Sequence, residues 1–134
     1  MIFYFSATGN TLWAARQISQ AIGEQLVPIT DDENPVNITL NEGERLGFCF
    51  PVHGWRPPLI VRRFISRLVV ENLSQHYVFA LCTAGDTVGE AIDIFRNDLS
   101  QRSIPLHAVG SLLMPESYVG MPFMDVDTPQ REKE

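Results

Sequence analysis

Three short segments of the 134-residue chain carry residues whose types and spacing can do chemistry. In the first, Ser6-Ala7-Thr8-Gly9-Asn10-Thr11 sets small hydroxyl and amide side chains around one glycine, just ahead of an apolar helical pattern. Such a segment makes an anion cradle without a cation. Free backbone N–H groups and the positive end of the helix dipole face the ligand, and the Ser6, Thr8 and Thr11 hydroxyls can donate further bonds. An ordinary Ser/Thr-rich helix cap accounts for the same residues taken alone. The segment has neither the G-x-x-x-x-G-K of a Walker loop nor the G-x-G-x-x-G of a dinucleotide site. The second segment, Pro51-Val52-His53-Gly54-Trp55 with Arg56 and two prolines behind it, places a large indole in a loop. A flat aromatic ligand stacks on such a ring, while closure of the loop over the core is the simpler reading of a lone tryptophan. The third, Thr83-Ala84-Gly85-Asp86, offers a glycine for close backbone approach and a carboxylate that accepts from an N–H.

These segments need elements to hold them. Ile2 to Phe5 is a short, wholly apolar run, the pattern of a strand buried on both faces. Leu12, Ala15, Ile18 and Ile22 recur at helical spacing, and Gly23 is placed to end that helix. Residues 25–29 and 46–50 read as the second and third strands, with a surface loop expected across 30–45. After Pro57-Pro58 a helix is expected, with Ile60, Val61, Phe64, Ile65, Leu68 and Val69 as its apolar stripe. Residues 77–82 read as a strand. Val88, Ala91, Ile92, Phe95 and Leu99 then make another helix, with Thr87 and Glu90 at capping-box spacing. Residues 106–113 form the last strand. Strands alternating with helices predict one α/β domain built on a parallel sheet, with the three segments emerging at the carboxyl ends of its strands, where such folds bind ligands.

Composition removes several functions. A net charge of −6, with Lys133 as the single lysine, disfavours nucleic acid as a partner. No apolar run is long enough to span a membrane and no basic, apolar leader precedes the first strand, so a cytoplasmic protein without membrane association is expected. Cys49 and Cys82 are too few for a disulfide framework, a thiolate zinc site or an iron–sulfur cluster, and they read as small core side chains. Cys49 to Arg56 is C-x6-R, which misses the C-x5-R of a cysteine phosphatase. Arg56, Arg62, Arg63 and Arg67 gather on or beside one helix. They read as a solvated face, with docking of an acidic electron carrier as the functional alternative. Trp13 reads as packing, and Asp31-Asp32-Glu33 as solvent-facing. His76 and His107 attract no functional assignment.

The combination of an uncharged phosphate cradle, an aromatic platform and a small polar loop resembles the flavodoxin family. Tyr4-Phe5-Ser6-Ala7-Thr8-Gly9-Asn10-Thr11 is similar to its FMN-phosphate loop, and Phe50-Pro51-Val52-His53-Gly54-Trp55 sits where its ring-flanking loop belongs. In detail the chain looks like the flavodoxin-type domain that some bacterial and archaeal proteins fuse to a ferredoxin-like iron–sulfur domain. The resemblance covers residues 1–118. It implies a doubly wound five-stranded parallel sheet of order 2-1-3-4-5. It also implies FMN as cofactor, with Ser6, Ala7, Thr8, Gly9, Asn10 and Thr11 around the phosphate. Pro51, Val52, His53, Gly54 and Trp55 would border the ring, and Thr83, Ala84, Gly85 and Asp86 its pyrimidine edge. For His53, contact with flavin and a structural loop role both stay open. Gly54 is the candidate peptide for turning its carbonyl toward flavin N5 on reduction, since glycine accepts either backbone sign.

The departures from the family are equally specific. Thr83 to Asp86 offers no aromatic to stack on the outer ring face, so that face is expected to be open to a partner or substrate. Residues 119–134 form a C-terminal loop and at most the start of a last helix, so that helix is expected to be truncated or absent. The resulting apolar strip is expected to be exposed or covered by a second chain in a homodimer. The leading expectation is an FMN-binding electron-transfer protein, serving a redox partner such as a ferredoxin or a reductase. The alternatives are a flavin-dependent NAD(P)H:acceptor reductase of the quinone type and a flavin-free interaction module.

Overall fold

The computed structural model describes residues 1–7, 9–52, 55–84 and 89–113. The elements run β1 (Ile2–Tyr4), α1 (Asn10–Ile22), β2 (Leu26–Pro28), β3 (Val36–Ile38), β4 (Leu46–Pro51), α2 (Leu59–Arg67), β5 (Leu68–Val70), β6 (Val78–Ala84), α3 (Gly89–Ser100) and β7 (Ala108–Leu113). Five strands make one sheet in the order β2-β1-β4-β6-β7, and every pairing in it is parallel. With the two strands of a smaller sheet set aside, that order is the expected 2-1-3-4-5.

The continuous apolar strands are explained by burial on both sides. Toward α2 and α3, Leu46, Phe48 and Phe50 of β4 join Val78, Ala80 and Cys82 of β6, and all are buried. Five phenylalanines tie the layers there: Phe3 meets Phe64 at 4.9 Å between centroids, Phe48 meets Phe95 at 5.4 Å and Phe50 meets Phe95 at 4.6 Å. On the other face, Ile2 and Cys49 pack with Ala15 of α1, ringed by half-buried Tyr4, Ile18, Ile22, Leu26, Phe79 and Leu81. There Gly47 lies beside Phe79 on the neighbouring strand, and a Cβ at that glycine would run into the ring. Glu24 is a buried carboxylate between β1 and β4, accepting from the Met1 ammonium and the Arg45 backbone N–H. Burial alone pushes this carboxyl up, but those bonds outweigh it and hold the group below its ordinary range.

Two expectations need correcting. Residues 30–45 are not all loop, because Val36–Ile38 is a strand, and the helical stripe does not continue through Leu68 and Val69. The helix ends at Arg67, and Leu68–Val70 pairs in parallel with Val36–Ile38 as a two-stranded sheet. Asn72 secures this satellite through its side-chain amide, which donates to the Leu40 carbonyl and accepts from the Leu40 N–H. The expected capping residue Thr87, the start of the third helical stripe at Val88, and the truncated C-terminal helix lie outside the described residues.

Candidate functional site

The three chemistry-bearing loops leave adjacent strands. β1, β4 and β6 lie side by side in parallel, so the segments after Tyr4, Pro51 and Ala84 emerge together at one edge of the sheet. Of the expected site residues, Thr8, His53, Gly54, Gly85 and Asp86 lie outside the described residues, and the geometry below belongs to the others.

In the first loop, Gly9 adopts the left-handed conformation (φ 98°, ψ −20°) as the residue before α1. Its carbonyl accepts the Trp13 N–H at 2.9 Å and so begins the helical ladder. Half-buried Ser6 folds its hydroxyl beneath this turn, where the oxygen accepts from the Gly9 N–H at 3.0 Å and the Leu12 N–H at 3.2 Å. With both bonds accepted, the Ser6 proton stays available to a ligand. Among the described residues, the backbone N–H groups of Asn10 and Thr11 have no acceptor. They sit at the positive end of a thirteen-residue helix whose first turn carries no acidic side chain. The loop is therefore both a well-formed helix start and an anion cradle of neutral donors, and a terminal phosphate group fits that donor set.

Thr11 departs from its simplest role. Its side chain is buried and its hydroxyl pairs with the Thr83 hydroxyl at 2.7 Å. Only its backbone N–H therefore faces the cradle. In the second loop Pro51 and Val52 are half-buried, and the Val52 N–H donates to the Thr83 carbonyl at 2.9 Å. Trp55 is 61% exposed with φ 64°, so its indole does not close the loop over the core. Trp13 is 54% exposed, against the expectation that it packs. The inward face of α1 is taken by Thr11, Ala14 and Ala15, and the helical repeat turns position 13 outward.

The arginine cluster is largely committed inside the chain. Arg62 makes a two-pronged pair with Asp98 at 2.8 and 3.1 Å, and Arg63 makes one with Asp31 at 3.1 and 2.8 Å. Arg67 reaches Asp32 at 2.8 Å and the carbonyls of Thr30 and Asn34 at 2.6 and 2.7 Å, with its guanidinium over the Phe64 ring. Asp31 and Asp32 are thus not merely solvent-facing; they clamp the loop after β2 onto α2. Of the four arginines, Arg56 is exposed and has no ion pair among the described residues. His76 and His107 bind backbone, at the Glu44 carbonyl and the Val78 N–H respectively.

Both cysteines are buried and free, and they point to opposite faces of the sheet. Burial pushes each thiol up to about 12, with Cys82 adding to the effect on Cys49. Neither thiol is expected to react with a disulfide reagent at pH 8 in the native chain, and both should react once it is denatured. A native reaction of even one equivalent within minutes would contradict their burial. Among the described residues no group of three or more metal-ligating side chains occurs, and no helix is long and apolar enough to cross a membrane.

No protein-family model matches the chain, and no curated protein sequence matches it. Among solved structures, a chain described as a "Putative flavoprotein from Bacteroides uniformis ATCC 8492" is similar to it, with a TM-score of 0.66 at 18% sequence identity, over 87% of this chain and 90% of that one. The fold is flavodoxin-like. At that identity the likeness reaches the architecture and no further. The first loop and the exposed indole lie at the carboxyl ends of the strands, where the strand order reverses between β1 and β4, the position at which open α/β sheets in general take ligands.

Proposed function

We propose that this chain binds FMN at the carboxyl edge of its sheet and carries electrons between redox partner proteins, such as a ferredoxin and a reductase, in the cytoplasm. The observation that carries the reading is the uncharged cradle: among the described residues the Asn10 and Thr11 N–H groups have no acceptor, and the Ser6 hydroxyl still has its proton, while the loop after the adjacent strand leaves the Trp55 ring in solvent. A cradle of one short turn suits a single terminal phosphate, which favours FMN over a dinucleotide bound through its pyrophosphate.

When bound, FMN supplies one- and two-electron chemistry. The chain's own residues bind and tune. Ser6, Asn10 and Thr11 would hold the phosphate through dipoles alone, leaving its negative charge uncompensated. That charge disfavours adding electrons nearby and lowers the potential at which reduction occurs. Trp55 offers a stacking face for the ring. The test is a titration of purified protein with FMN, riboflavin and FAD, followed by flavin fluorescence. FMN is expected to quench on binding and to bind at least about tenfold more tightly than riboflavin, a difference of ~1.4 kcal/mol. Absence of quenching at micromolar FMN would return the chain to the class of flavin-free interaction modules.

A further inference from the structure

We propose that Thr83 is a positioning residue that fixes the anion cradle relative to the aromatic loop, and thereby sets the preference for a phosphorylated over an unphosphorylated flavin. The inference rests on the flavin reading above. Three connections meet at this one residue. Its hydroxyl bonds the Thr11 hydroxyl at 2.7 Å, tying β6 to the first turn of α1. Its carbonyl accepts the Val52 N–H at 2.9 Å, tying β6 to the chain that leads to Trp55. Its own backbone, in register with Pro51 on one side and Leu112 on the other, leads through Ala84 into the third loop.

The hydroxyl pair is the consequential link. Thr11 is 1% exposed and Thr83 3%, so solvent does not compete for the bond, and neither side chain has another partner among the described residues. Beyond Thr11, the inward face of α1 in its first two turns is built from Ala14 and Ala15. Small side chains leave the depth and rotation of a helix end weakly defined, because they interdigitate little with what they cover. A directed O–H···O bond of ordinary length defines both. The residue it holds, Thr11, is also one of the two whose N–H faces the anion. Thr83 therefore acts on the phosphate through Thr11 without touching it, and displacement of a donor by a fraction of an ångström weakens a bond that depends on alignment.

The test uses Thr83→Val, which keeps the branched shape and the backbone connections and removes only the hydroxyl. FMN affinity is expected to fall about tenfold more than that of riboflavin, which has no phosphate, so that any loss of ring contact cancels in the ratio of the two. Thr83→Ser, which restores the hydroxyl, is expected to return the FMN-to-riboflavin ratio to that of the wild type. Because Thr83→Val strands the Thr11 hydroxyl in the core, the double variant Thr11→Val with Thr83→Val provides a second measurement. No lone buried hydroxyl remains in it, so its unfolding midpoint should recover while its FMN preference stays low. A wild-type ratio in both valine variants overturns the positioning role and leaves flavin binding intact. Equal affinity of the wild type for FMN and riboflavin overturns it as well. If the wild type binds neither flavin, the failure lies with the reading beneath.

Discussion

Phe95→Ala is expected to cost about 3–5 kcal/mol of folding stability, the range for truncating a fully buried aromatic ring. Phe95 is 1% exposed and sits where α3 meets the sheet, edge-on to Phe48 and tilted against Phe50. Those two phenylalanines belong to β4, the middle strand of five, so the ring, with buried Ala91 and Leu99 along the same helix, holds α3 to the sheet. The lost ring removes apolar burial and leaves a cavity whose walls are strand side chains fixed by their ladders, with little freedom to collapse. Domains of this size have roughly 5–15 kcal/mol in all, so the variant should lie near the edge of stability. Urea unfolding followed by tryptophan fluorescence measures the loss, and Phe95→Leu should lose clearly less. A loss under about 1 kcal/mol for alanine would mean that α3 is held by something other than this ring.

The legible parts of the fold share a cause. β4 is buried on both faces and β6 is buried on one and half-buried on the other, so apart from Thr83 they carry no polar side chain and read as short apolar runs. The end of α1 at Gly23 is local too, since the left-handed turn there hands its N–H back to the Ser19 carbonyl four residues earlier. What was not legible depends on distant partners. Leu68 and Val69 continue the spacing of Ile65 in the helical stripe, and only the pairing of Leu68–Val70 with Val36–Ile38, some thirty residues away, makes them a strand. Val36–Ile38 itself is three residues long in a polar stretch, too short to show a period.

The site divides in the same way. The residue types of the cradle were readable because a helix start, a left-handed glycine and hydroxyl side chains are local features. The partner of Thr11 was not, as Thr83 is 72 positions on and appears in the sequence as the start of an ordinary loop. The ion pairs of the arginine row were not legible either: Asp31 and Asp32 lie in a loop that gives no sign of folding back on α2. An exposed tryptophan is likewise visible only as a tryptophan until its backbone is known. With φ 64° at Trp55, the chain adopts a conformation that bulky residues avoid, and burial of the indole does not repay that strain.

Gly9 provides the sharpest separation of a structural helix cap from a ligand site, and Gly9→Ala is expected to weaken FMN binding about tenfold or more. At φ 98° an L-residue is strained, and the left-handed region costs a non-glycine roughly 1–2 kcal/mol. Among the described residues beyond its chain neighbours, nothing lies within 4 Å of the position a Cβ would take, so the expected effect is backbone strain rather than a clash. An exposed turn with open space around it relieves strain by rotating rather than by storing it. Rotation at Gly9 carries with it the peptide whose N–H is that of Asn10, one of the two donors without an acceptor, and it breaks the Gly9 bond to Ser6. Relief of strain is thus obtained at the expense of the cradle. FMN at a hundred times its dissociation constant should raise wild-type stability by about 2.7 kcal/mol, and the same concentration should raise the alanine variant's by clearly less. Asparagine, which tolerates the left-handed region, should fall between the two. If Gly9→Ala lowers the unfolding midpoint of the free protein yet keeps wild-type affinity for FMN, the turn is only a helix cap and the phosphate is held elsewhere.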